Sequence, residues 1–335
     1  MAAPRLTFFC ELDPVQLDAL FRDDLIETLQ EMKACISLGL LDFSPERAAV
    51  VRRLNQAGIP LTAWLLLPEE QGYYSNLGNA PQTITRFHHF LEWTKNQDLR
   101  WQGIGLDIEP DLHDTQRVFD EKWRVLPDLA SRVFNQKRLR RAKEEYSRLV
   151  AQANQAGYSV ASYQFPLIAD ERKADSTLIQ RLTGILDLRV DKEVLLLYSS
   201  FFRPNGAGIL MSYGPEAEAV ALGCTGRGVD AGIQDHRPLD WEELARDLRL
   251  AWSWNPDLYI FSLEGCVEKG YLEKLKNFTW DQPILLPEQA AERVDRFRSS
   301  MHSLLWLASH PVPILLAISG VVLFIRGVLR WRHRQ

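Results

Sequence analysis

The feature that most limits what this chain can become is a rhythm: short apolar, strand-like runs alternate with amphipathic, helix-like stretches from Leu6 to Lys276. Such alternation calls for parallel strands, because parallel neighbours cannot be joined by a tight turn and need a crossover, usually a helix. Eight runs can be counted: Leu6–Cys10, Ala34–Leu41, Pro60–Leu67, Gly103–Ile108, Tyr158–Phe165, Glu193–Ser199, Ala219–Thr225 and Leu258–Leu263. Helix punctuation supports the count. Asp13-Pro14 and Ser44-Pro45 pair a capping side chain with proline at the first helical position, and Gly58 and Gly157 sit where helices close. Eight strand–helix units in about 280 residues have the size and rhythm of an α/β fold of the (β/α)8 TIM-barrel type. The expected organisation is a barrel over 1–280, a polar, proline-interrupted juxtamembrane linker or helix over 281–303, a single transmembrane helix over 304–331 and a basic tail over 332–335.

In a barrel of this type reactive groups come from the carboxyl ends of the strands. The fourth run ends in Asp107-Ile108-Glu109-Pro110. Side chains two apart on a strand share a face, so the two carboxylates should lie roughly 6 to 7 Å apart along the backbone, and proline stops further pairing. Carboxylates that close disfavour double ionisation and one keeps its proton toward neutral pH, which suits a general acid. An acidic pair at a strand end can also cap a helix or hold an arginine. The other strand ends bring Glu11, Asp42, Trp64, Tyr163, Gln164, Tyr198 and Glu264 to the same mouth; of these, Asp42 before Ser44-Pro45 reads as turn chemistry. Aromatic faces stack on sugar rings and carboxylates protonate a leaving oxygen, so the collection suits glycoside chemistry.

Several classes are disfavoured. A net charge of -5 and a pI near 5.9 argue against a nucleic-acid partner. The four cysteines form no Cys-x-x-Cys pair and read as small buried apolar residues, and adjacent His88 and His89 would point about 100° apart on a helix, a poor metal clamp. No metal and no cofactor is expected. Gly226-Arg227-Gly228 is a weak candidate for a phosphate cradle and reads as a flexible loop. The long loop Pro68–Ala80, with Tyr73-Tyr74, is of a length that is commonly functional. The stretch Asp114–Ala156 is too long for one crossover helix and implies an extra helical arm, whose basic cluster Lys137–Arg141 reads as a solvated helix face.

The fourth-strand ending Gly105-Leu106-Asp107-Ile108-Glu109 resembles the Asp-x-Glu end of the chitinase-like family 18 glycoside hydrolases and is similar to that of the family 25 lysozymes. Tyr198 stands where the chitinase-like family has a tyrosine in its sixth strand. The resemblance implies Glu109 as proton donor, Asp107 as the group that orients a substrate amide or stabilises charge, and Tyr198 as a hydrogen-bond partner of an acetamido group. This chain departs from the family pattern in having Gly105 and Gln102 where further aspartates precede the glutamate, and Ser199 where an aspartate follows the tyrosine. A two-carboxylate route would instead enlist Glu264 or Glu11 opposite Glu109.

Leu304 to Ile325 holds no Asp, Glu, Lys or Arg over twenty-two residues, enough to cross a bilayer core as a helix; a buried amphipathic or interfacial helix is the other reading. Arginines flank the run on both sides, and no export signal is visible at the amino terminus, so the expectation is a single-pass anchor in membrane lipid with the barrel facing the cytoplasm. The expected function is a membrane-anchored glycoside-hydrolase-like protein cleaving a carbohydrate by carboxylate acid–base catalysis. The alternatives are a non-catalytic carbohydrate-binding or scaffolding barrel, and a metal-dependent isomerase or lyase using Glu11, Glu109 and Glu264.

Overall fold

A computed structural model describes residues 3–111, 131–226 and 237–310. Eight parallel strands close into a barrel in chain order: β1 (Arg5–Cys10), β2 (Cys35–Leu40), β3 (Leu61–Leu65), β4 (Gly103–Ile108), β5 (Ser159–Gln164), β6 (Lys192–Leu196), β7 (Ala219–Gly223) and β8 (Asp257–Phe261). Each lies within a few residues of its expected position. The register explains why these short apolar runs make a ring. Phe9 pairs with Ser37 and Phe261, Trp64 with Gly39 and Gly105, and Tyr163 with Asp107 and Val194. Residues in register face the same side, so large side chains from β1, β3, β5 and β8 fill the lumen where β2 and β4 supply serine and glycine. The alternate set, including Phe8, Ile36, Leu38, Ile104, Leu106, Val160 and Ile260, faces outward and is fully buried against the helices.

One glycine is required here. A Cβ at Gly105 would lie 2.3 Å from the Tyr163 hydroxyl oxygen, so only a residue without a side chain lets that ring cross from β5. The Tyr163 hydroxyl then meets Ser37 Oγ of β2 at 2.6 Å.

The connections are tied down by polar side chains. Asp42 accepts from the Ser44 amide at 2.9 Å and from Arg47 Nη2 at 2.8 Å, the turn role expected of it. Fully buried Arg47 also donates to the Gly39 and Leu12 carbonyls, which satisfies a charge that would otherwise be costly inside. The loop after β3 folds back onto β4: the Ser75 amide donates to the Asp107 carbonyl at 2.9 Å, and Ser75 bridges to Ile108.

The carboxyl-terminal region is helical. Residues 288–303, expected as part of a linker or juxtamembrane helix, belong to the helix Glu288–Ser309, which packs on the helix Gly206–Tyr213. The two backbones approach so closely that a Cβ at Gly208 would lie 2.4 Å from the Ala290 carbonyl carbon. Arg298, 8% exposed, donates to Asp170 Oδ1 at 2.8 Å, Glu216 Oε2 at 2.9 Å and the Ser212 carbonyl at 2.6 Å, with its guanidinium 3.8 Å from the Tyr213 ring centroid. A stripe of Ala290, Ala291, Val294 and Leu305 continues the buried face, so the charged sequence conceals a docked helix.

Among the described residues no helix is long and apolar enough to cross a membrane. The expected span over 304–331 is described only to His310, and its remainder, with the tail 332–335, lies outside the described residues. So do most of the expected helical arm, from 114 to 130, and Arg227-Gly228 of the glycine-rich loop. The helix Gln136–Gln155 is described and carries Lys137, Arg138, Arg140 and Arg141 on its exposed face, with Leu139 turned inward.

Candidate active site

In β4 the pleat sends Ile104, Leu106 and Ile108 outward and leaves Gly103, Gly105 and Asp107 facing the lumen. Glu109, one alternation further and followed by Pro110, continues on the inner side past the end of pairing. Asp107 is 4% exposed, whereas Glu109 is only partly buried and nearer the mouth.

Above this pair opens a cavity of about 310 Å³ at the carboxyl end of the barrel. Its floor is Phe9 edge-on to Tyr163, with ring centroids 4.8 Å apart. Trp64 and Tyr74 line it on one side, and Tyr198, Phe201 and Phe261 form a contiguous wall with centroids 5.8 and 5.9 Å from Tyr198. Among the described residues its ionisable lining consists of Glu11, Asp107, Glu109, tyrosine hydroxyls and the Cys224 thiol, with no Lys, Arg or His.

Electrostatics follow from the burial. Desolvation, then the charges of Glu109 and Glu11, push the Asp107 carboxyl well above its ordinary value, with the Trp64 side chain acting the other way. Desolvation also raises Glu109 to about 7, while the hydrogen bond it receives from Asp107 lowers it. The two carboxyl groups therefore share a proton near neutrality. Glu11 is raised to about 7, first by burial and then by Glu264 and Glu109, against the lowering effect of the Tyr73 hydroxyl that donates to it. Tyr73 holds that hydroxyl in place from a left-handed backbone conformation, φ 62°, which a bulky residue adopts only under constraint. Burial first, then the nearby carboxylates and, for Tyr198, Cys224 ahead of them, keep Tyr74 and Tyr198 protonated as hydrogen-bond donors.

Of the residues singled out from the sequence, Glu11, Trp64, Asp107, Glu109, Tyr163 and Tyr198 converge on this cavity. Two do not. Gln164 is the outward neighbour of Tyr163, and its amide nitrogen donates to the Leu186 carbonyl at 2.8 Å; strand alternation admits only one of the two to the lumen. Glu264 lies in the helix Leu263–Glu268, outside the cavity lining, where it neighbours Cys10 and Glu11 and acts on the site through its charge. Its Oε2 is buried without a hydrogen-bond partner. Phe9 and Phe261 were legible by alternation from Glu11 and Tyr259, whereas Tyr74 and Phe201 come from irregular segments that carry no periodic signal. Among the described residues no group of three or more His, Cys, Asp or Glu side chains is arranged to hold a metal ion.

Comparison with known proteins bears on the fold. No protein-family model matches the sequence, and no curated protein matches it. Among solved structures, the PgaB (BpsB) glycoside hydrolase domain from Bordetella bronchiseptica superposes with a TM-score of 0.50 at 12% identity, covering 84% of this chain and 100% of that one. A GH18 chitinase from Pseudoalteromonas aurantia gives 0.46 at 10% identity, covering 82% and 100%. A xylose isomerase domain protein from Planctomyces limnophilus gives 0.45 at 12% identity, covering 82% and 96%. At these identities the likeness is one of fold, and function has to be argued from the site.

Proposed function

We propose that this chain is a glycoside-hydrolase-like barrel that cleaves a glycan by carboxylate acid–base catalysis. The observation that carries the reading is the buried carboxyl pair Asp107–Glu109, both raised by desolvation, on the inner side of an aromatic-walled cavity. Glu109, the member nearer the mouth, delivers the proton to the glycosidic oxygen as the bond to the anomeric carbon breaks. Asp107, deeper and hydrogen-bonded to it, bears negative charge beside the developing oxocarbenium centre once the shared proton has left with the leaving group, and the water that captures that centre supplies the proton that restores the pair. Glu11, three strands round the ring from Glu109, is the carboxylate available on the far side as base or nucleophile. Trp64, Tyr74 and Tyr198 offer ring faces and hydroxyls to the sugar.

A non-catalytic carbohydrate-binding or scaffolding barrel is the second reading, and two departures from the chitinase-like pattern favour it. The space beside Gly105 is taken by the Tyr163 hydroxyl. Ser199 is turned to buried Asp247 and does not line the cavity. The test is reducing-end release from a panel of oligosaccharides by the wild-type protein and by Glu109→Gln. The hydrolase reading expects turnover that falls by about 10²-fold or more in the variant, with a melting temperature no lower than that of the wild type. Glycan binding without turnover in the wild type would favour the second reading.

Residues 304–331 are further proposed to tether the barrel, cytoplasm-facing, to membrane lipid. Support comes from the charge-free run and from exposed Leu304, Trp306 and Leu307 at the end of the docked helix. Truncation after His310 should release the protein from the membrane fraction, and its presence in the soluble fraction at full length would remove this proposal.

A further inference from the structure

The cavity combines three features that together specify the charge of its ligand. The first is sign: Glu11, Asp107 and Glu109 line it and, among the described residues, no basic side chain does. The second is its surface, in which the faces and edges of Trp64, Tyr74, Tyr198, Phe201 and Phe261 surround the carboxylates. Aromatic faces carry negative potential and attract a desolvated cation, as in the aromatic cages that recognise organic ammonium groups. The third is a pair of unmet hydrogen bonds. Asp107 Oδ1 is a buried acceptor and Trp64 Nε1 a buried donor, on residues 4% and 3% exposed; the indole lies near enough to favour the ionised carboxyl, but neither atom makes a well-formed hydrogen bond. Leaving such atoms unpaired is unfavourable, and a ligand that supplies one N–H donor and one oxygen acceptor relieves both.

Resting on the glycan reading above, we propose that the sugar taken by this cavity carries a free, protonated amine, with the ammonium seated between Asp107 and the aromatic walls and a neighbouring hydroxyl accepting from the Trp64 indole. An N-acetylated or neutral sugar lacks the charge and leaves the carboxylates uncompensated. The arrangement also serves catalysis. A cation beside Asp107 favours the ionised form of that carboxyl, which leaves the proton of the pair on Glu109, the member facing the leaving oxygen.

The test is calorimetric binding of three oligosaccharides of equal length to the full-length protein: fully de-N-acetylated chito-oligosaccharide, its fully N-acetylated counterpart and a cello-oligosaccharide. The amine form is expected to bind about tenfold or more tightly than either of the others. That preference should disappear in Asp107→Asn and weaken about tenfold in Tyr198→Leu, each checked for a wild-type melting profile; where Tyr198→Leu does not fold, Trp64→Phe replaces it. Equal or weaker binding of the amine form, including none, overturns the inference. A preference that persists in Asp107→Asn also overturns it, because it then reflects the acidic surface of the protein. Tight binding or cleavage of the N-acetylated or neutral sugar alone defeats the ammonium assignment and leaves the hydrolase reading standing; amine-selective binding without cleavage does the reverse.

Discussion

The Tyr163 hydroxyl occupies the place a side chain on Gly105 would take, 2.3 Å from where its Cβ would stand, and closes the barrel floor by bonding Ser37 on the far strand. The bottom of the cavity is thus set by one ring that needs one missing side chain.

Gly105→Ala is therefore expected to destabilise the fold by about 1–3 kcal/mol through overpacking. Removing the obstruction with Tyr163→Ala should make the second substitution cheaper in that background. Urea titration of the two single variants and the double variant measures this coupling. Additive effects would mean that the two residues do not share the space.

Stability should fall as pH rises from acid to neutral. Glu11 and Glu109 are raised from 4.5 to about 7, so between those values the folded chain binds more protons than the unfolded chain. Their contribution is complete below about pH 4.5 and is lost as pH passes 7. In Glu11→Gln the loss between pH 5 and 8 should shrink by about 1–3 kcal/mol, read from denaturation at the two pH values. Tyr73→Phe, which deletes the hydroxyl that lowers Glu11, should instead enlarge it.

Arg298→Ala is expected to cost about 3–5 kcal/mol, because it leaves buried Asp170 without its cationic partner, with only the Tyr213 hydroxyl donating to it, as well as freeing the helix Glu288–Ser309. Hydrogen exchange should speed up along that helix and leave β4 protected. Unchanged protection over 288–309 would mean that the helix is held by its apolar stripe alone.

Much of the barrel was readable from the chain, because buried parallel strands leave short apolar runs and crossover helices leave caps such as Asp13-Pro14 and Ser44-Pro45. The inner acids were readable for the same reason, since Asp107 and Glu109 differ by two residues and share a face. Gln164 failed that test against its own neighbour Tyr163. What stayed hidden depended on partners distant in sequence. The helix Glu288–Ser309 looks like a charged linker because Arg298 interrupts its apolar stripe, and only Asp170, Glu216 and Tyr213 make that arginine a buried anchor. Likewise, only the length of its loop points to Tyr74, and nothing local marks Phe201 as a wall of the cavity.

The central claim is that Asp107 and Glu109 retain a proton between them near neutral pH. Infrared difference spectroscopy at about pH 7 reads this through the C=O stretch of protonated carboxyl groups. The account expects that band in the wild-type protein to exceed the band in Asp107→Asn/Glu109→Gln by about one carboxyl group. Identical bands in the two proteins would mean both carboxyls are ionised, and would contradict it.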